Sequence, residues 1–149
     1  MNDHLGFKLV RHGVILLFLG FLTGIAVMHV KNPHMGLSAH LEGVMAGMML
    51  LLIGGVVWER LSLPSGMMVV VYGLILYASY TTWAYTLLGA ALGTSRMTPL
   101  AGAGFSAPAW QETLVSVLLI TEVLSILLAF PILIYGLCRK SSPGATGKP

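Results

Sequence analysis

His40 and Glu42 stand together at the mouth of an apolar stretch that runs on to Trp58, in the order Leu37-Ser38-Ala39-His40-Leu41-Glu42-Gly43. Ionisable side chains are costly to keep in such a setting unless they bind something. On a helix, His40 lies one turn before Val44, at the edge of a stripe of small residues formed by Ala39, Gly43, Ala46 and Gly47. Two readings of it stay open: a buried histidine that is merely hydrogen-bonded, and an inward-facing axial ligand for a haem or a metal. Glu42, two positions on, faces roughly the opposite way. Its expected role is the plain one of a carboxylate favoured by a helix N-terminus at the outer interface.

A second carboxyl lies deeper. Glu122 falls near the middle of an apolar stretch, where an unpaired carboxylate costs several kcal/mol, so it must be neutral, paired or facing a wet cavity. Gln111, Val115, Leu118, Glu122 and Ser125 share one face at 3.6-residue periodicity. Glu122 reads either as a general acid or orienter of a substrate nitrogen, or as a structural carboxyl bonded to another helix. Glu112 is expected to be a solvated start of the same segment. Between these carboxyls in the chain, Tyr77, Thr81 and Tyr85 are spaced i, i+4 and i+8, with Tyr80, Thr82 and Trp83 interleaved. That spacing presents hydroxyls and ring faces to one pocket for a small aromatic substrate, and core packing is the competing account.

The elements that must position these groups are membrane helices. With 56% hydrophobic and 9% charged residues, the composition lies far outside the soluble norm of about 25% charged. Four apolar segments, 13–30, 39–58, 66–92 and 113–137, are each long enough to cross a bilayer at ~20 residues per span. Without water to satisfy the backbone they must be helices, and no run of strictly alternating short segments suggests a barrel. The expected fold is all-α: an integral membrane four-helix bundle, one domain over 1–140 with a flexible tail at 141–149. The first segment is longer than a signal-peptide core and lacks a clean cleavage site, so it is kept as a span.

Lys8, Arg11, Arg60, Arg139, Lys140 and Lys148 fall on one side of such a bundle and Lys31 and Arg96 on the other. The positive-inside rule then puts both termini in the cytoplasm, and the expected location is the bacterial inner membrane. The net charge of +3 is accounted for by anionic headgroups at helix ends, so no nucleic-acid partner is expected. Cys138 is the single cysteine, which excludes a disulfide framework. No phosphate loop and no His-Glu-x-x-His zinc motif occurs. The Gly-, Ala-, Pro- and Ser-rich connection from Gly93 to Trp110 is long enough to be either a cover over a pocket or a passive connector.

Three stretches together resemble the hydroxylaminobenzene mutase family: Leu37 to Met48, the region from Tyr80-Thr81-Thr82-Trp83 to Met97-Thr98-Pro99-Leu100-Ala101, and Gln111-Glu112 leading into the fourth segment. More distantly the chain is similar to styrene oxide isomerase, with Ala39-His40 followed by small residues and the pair Gly47-Met48. The resemblance implies a small four-span isomerase that rearranges phenylhydroxylamine to 2-aminophenol, or an aryl epoxide to an aldehyde. It implies haem b as a Lewis acid with His40 as axial ligand and metal site, Gly43 and Gly47 beside the cofactor, and a homo-oligomer, for which the isomerase offers the trimer as pattern, with haem near subunit interfaces. Tyr85 or Tyr80 corresponds to the isomerase's substrate-holding tyrosine. Glu122, Tyr85 and Tyr80 are therefore the expected catalytic set, with Tyr77, Thr81, Thr82, Trp83 and Gln111 around the substrate. Related chains often carry Asn where Ala46 stands, and another near Thr82. A small multidrug-type exporter and a haem-carrying membrane anchor are the other classes, but the first segment lacks the exporter's carboxylate, and His12, His29 and His34 lie at or beyond helix ends.

Overall fold

Pro33, Pro64 and Pro108 each stand at a helix start. In the computed structural model, which describes residues 3–139, α1 spans Asp3–Ala26, α2 Pro33–Leu52, α3 Ser65–Leu92 and α4 Ala109–Cys138. Proline's fixed φ and missing N–H suit the first turn, where amides have no intrahelical partner. α2 runs on through a π-helical stretch, Ile53–Val57, and a 3-10 turn, Trp58–Arg60. All four helices are long and apolar enough to cross a membrane, and among the described residues there is no strand. The expected all-helical, four-span fold is thus found. The segment 141–149 lies outside the described residues.

Three of the helices begin several residues before the expected apolar segments, α1 by ten (Asp3 against residue 13), α2 by six (Pro33 against 39) and α4 by four (Ala109 against 113). Hydropathy marks only the part in hydrocarbon, whereas caps set where a helix starts. Asn32 makes the point for α2: its Oδ1 accepts from the Met35 amide, its own amide donates to Ala90 O, and its Nδ2 donates to Ala101 O at 2.8 Å. One fully buried side chain therefore caps α2 and ties it to the outer loop, while the backbone of the same residue ties it to α3. Asn32→Ala should cost about 2 kcal/mol, one cap plus one hydrogen bond. The expected readout is a lower thermal midpoint with faster amide exchange in residues 94–104; unchanged exchange there would sink the assignment.

α1 is built as a seam. Its buried positions, Gly6, Leu9, Gly13, Leu16, Gly20 and Thr23, alternate spacings of three and four, the pattern that keeps one stripe against a partner helix. The glycines of that stripe meet α2 backbone to backbone. A Cβ on Gly13 would lie 2.8 Å from Gly47 O, and one on Gly20 2.8 Å from Val44 N. Small residues allow this approach, and dispersion between the closely packed helices holds them. Gly6 closes the inner end of the seam on Trp58 and Gly54.

The helices pack in sequence, α1 on α2, α2 on α3 and α3 on α4, with lighter contact between α1 and α3. α4 packs on α3 and on no other helix to a comparable extent. The bundle is therefore open on one side, and a trough runs over α3 between α2 and α4.

Candidate active site

That trough deepens into a cavity of about 290 Å³. α2 contributes Glu42, Met45, Ala46 and Met49, α3 contributes Ala78, Ser79 and Thr82, and α4 contributes Glu122 and Ile126. Glu42 Oε2 accepts from the Thr82 hydroxyl at 3.4 Å and from the Thr86 hydroxyl, which also donates to Thr82 O at 2.7 Å. Glu122 is 5% exposed. Among the described residues no protein group donates a hydrogen bond to it. Tyr85, expected in the catalytic set, is buried on α3 but is not among the residues that line the cavity. Two carboxyls and the hydroxyls of Ser79 and Thr82 thus converge at an apolar-walled hollow inside the span.

The plain role expected for Glu42 is overturned. Its side chain turns inward onto α3 hydroxyls, because α2 presents that face to α3 and the face of His40 to α1. The sequence did hold a hint, since Thr82 and Thr86 are an i, i+4 hydroxyl pair in an apolar helix that calls for an acceptor. Glu112 departs from expectation too. It is 7% exposed, and its carboxylate accepts from the amides of Ser95 and Arg96 at 3.0 Å each, pinning the outer loop to α4. The buried stripe of α4 accordingly starts at Glu112, continuing through Val115, Glu122 and Ser125, while half-buried Gln111 lines no part of the cavity.

The aromatic cluster of α3 divides among three neighbours. The Tyr77 hydroxyl bonds Thr121 Oγ1 at 2.7 Å on the exposed α3–α4 seam. Tyr80 turns to α1, where its hydroxyl bonds His12 Nδ1 at 3.1 Å, and Trp83 donates to Thr23 Oγ1 at 3.0 Å. Thr81 is buried and outside the cavity lining. Expected as one pocket wall, Tyr77, Thr81 and Tyr85 are not brought together: α3 is gripped by α1, α2 and α4, and each neighbour takes a different set of hydroxyls. Tyr80→Phe should therefore cost about 1 kcal/mol of stability and leave kcat/KM within about twofold, a factor worth under 0.5 kcal/mol. A tenfold fall in kcat/KM would return Tyr80 to the site.

His40 lies on the other face of α2. Its Nδ1 is 2.8 Å from Gly20 O; a carbonyl can only accept, so Nδ1 carries a proton and Nε2 is the nitrogen left for a ligand. Gly24 makes room for the ring, because a Cβ there would sit 2.7 Å from Nδ1. The imidazole borders a lateral groove of about 420 Å³ with Phe21, Gly24, Ile25, Val27, Met28 and Leu37. Gly43 and Gly47, expected beside a cofactor, are filled by α1 instead: their Cβ positions fall 2.8 Å from Gly20 Cα and from Leu17 N. The seam leaves no space there for a ligand.

The chain is 39% identical over 137 residues to hydroxylaminobenzene mutase HabB of Ectopseudomonas oleovorans, covering 91% of this chain and 82% of the relative. It is 33% identical over 132 residues to hydroxylaminobenzene mutase HabA of the same organism, covering 88% and 97%. No solved structure matches. Residues 6–138, from the first seam glycine to the end of α4, match the family described as styrene oxide isomerase, and the chain belongs to that family.

Proposed function

We propose that this intramolecular isomerase rearranges a small aromatic hydroxylamine, hydroxylaminobenzene to 2-aminophenol, in the cytoplasmic membrane of a bacterium with both termini inside. Relatives that carry the mutase name over nearly their whole length support the substrate class. The observation that carries the site is the pair of inward carboxyls, Glu42 and Glu122, on one apolar-walled cavity. Substrate and product are isomers. The N–O bond breaks with its electron pair going to oxygen, the oxygen bonds to the neighbouring ring carbon, and the hydrogen displaced from that carbon ends on nitrogen. Glu122 holds or moves a proton at the departing oxygen. Thr82 and Thr86 fix the rotamer of Glu42, and Met45, Met49 and Ile126 keep water from the electron-poor ring.

His40 suits a haem. Fixing one ring nitrogen on a backbone carbonyl is how ligating histidines are usually held. No group of three His, Cys, Asp or Glu able to hold a bare ion occurs among the described residues, whereas haem brings its own ring of nitrogens and needs only axial donors. Bound at His40, haem b would supply a Lewis acid for the oxygen that takes up the electron pair. His40 and the carboxylate cavity open on different faces of one chain. This supports a homo-oligomer, a trimer in the pattern of the isomerase, in which haem lies near subunit interfaces and neighbouring chains bring the two parts together.

The test is an absorption spectrum of detergent-purified protein before and after dithionite, followed by hydroxylaminobenzene with 2-aminophenol as the expected product. Formation of product without a Soret band would keep the isomerase and remove the haem. Aldehyde from styrene oxide, with no aminophenol from the hydroxylamine, would move the substrate to epoxides.

A further inference from the structure

Glu42 and Glu122 offer the cavity more acceptors than the protein itself uses. Glu42 Oε2 is taken by Thr82 and Thr86, and its Oε1 has no donor among the described residues. Glu122, at 5% exposure, has none at either oxygen. A buried carboxyl left without a partner costs free energy that a bound donor recovers. The rest of the lining is apolar apart from Ser79 and Thr82, and the Ser79 hydroxyl is spent on Ile75 O at 2.8 Å. A cavity of about 150 Å³ takes a benzene ring, so 290 Å³ has room for one ring and a short substituent. The hollow is thus shaped for an aromatic ring and lined for hydrogen-bond donors.

We propose that Glu42 and Glu122 form the specificity site for nitrogen: they bind the N–H and O–H of an aryl amine or hydroxylamine and so select that class over aryl epoxides. An epoxide oxygen can only accept. Facing two carboxyls, it leaves at least one of them without a donor, and buried groups left unpaired are what make such discrimination steep. The inference rests on the isomerase reading above and deepens it. Glu42 is fixed by two threonines and serves as the rigid acceptor, while Glu122, with no partner from the protein, turns to the substituent.

Aniline and toluene test this, since they share ring and size and differ in the N–H donors. Binding of each to the purified full-length protein in detergent is measured by calorimetry for the wild type, Glu122→Gln, Glu122→Leu and Glu42→Gln. The wild type should bind aniline more tightly than toluene. Glu122→Leu should weaken aniline about tenfold, the factor one buried hydrogen bond is worth, and leave toluene unchanged or tighter. Glu122→Gln keeps volume and one acceptor, so it should fall between; its thermal midpoint beside that of Glu122→Leu tells misfolding from lost recognition. Equal weakening of both ligands in folded variants, or no weakening of aniline, overturns the proposal. Turnover of hydroxylaminobenzene is read separately: a wild type that turns it over while aniline binding ignores Glu122 keeps the isomerase and loses this site. Glu122-dependent aniline binding without turnover keeps the site and loses the isomerase.

Discussion

His40→Ala should yield a folded, colourless protein with rearrangement activity reduced at least about 100-fold, the loss seen when a principal stabiliser of developing charge is removed. Only the ligand reading predicts both effects together. The imidazole is seated at the α1–α2 contact by Gly20 O at 2.8 Å and by the space at Gly24, so truncation leaves a void that opens on the groove rather than a collapsed core. Added imidazole should occupy that void and restore part of the Soret band and part of the activity. A histidine that merely hydrogen-bonds Gly20 would lower stability by about 1 kcal/mol and leave the spectrum untouched. Full haem content in His40→Ala would place the axial ligand elsewhere.

Fold class was legible because in a membrane one rule dominates: a backbone that cannot meet water must bond to itself. Four apolar lengths are then four helices. What the apolar lengths hide is where helices begin and how they are ordered. The prolines at 33, 64 and 108 carried the first in plain sight. For the second, Gly6, Gly13 and Gly20 stand seven apart, and Gly47 and Gly54 repeat that spacing. The reading from sequence noticed only Gly43 and Gly47. A pair of glycines four apart suggests a close contact without naming the partner, whereas matching stripes on consecutive helices name it.

The site was legible in its isolated expensive residues and not in its grouping. His40 and Glu122 stand out because ionisable groups are rare in hydrocarbon, and both border hollows. Which hollow each borders depends on helix rotation and on which helices touch, and neither can be read from one segment. Glu42 was misjudged for that reason and because its segment was expected to begin at residue 39; with α2 starting at Pro33 the carboxylate stands more than two turns in, beyond the reach of the helix N-terminus. The aromatic cluster misled in the opposite direction. Periodicity of i, i+4, i+8 approximates one face of a helix, but at 3.6 residues per turn those two steps turn the position by about 80°, which separates Tyr77 at the α3–α4 seam from Tyr85 in the interior.

Gly43→Val should be strongly destabilising, and it should cost haem as well. A Cβ at 43 would lie 2.8 Å from Gly20 Cα and 2.8 Å from Trp83 Cδ1. The indole can swing, but the Cα belongs to the backbone of α1, so the helices must part. Forced overpacking costs about 1–3 kcal/mol and more where backbone has to move. Gly20 also supplies the carbonyl that fixes the His40 ring, so moving α1 away frees the imidazole to rotate. The control is Gly73→Val on exposed α3 surface, where a Cβ meets nothing within 4 Å and stability should stay within about 0.5 kcal/mol. Thermal unfolding in detergent, read beside Soret absorbance per chain, should show Gly43→Val losing both and Gly73→Val losing neither. If the two variants unfold at the same temperature, α1 and α2 do not touch at their backbones, and the geometry drawn for His40 goes with that contact.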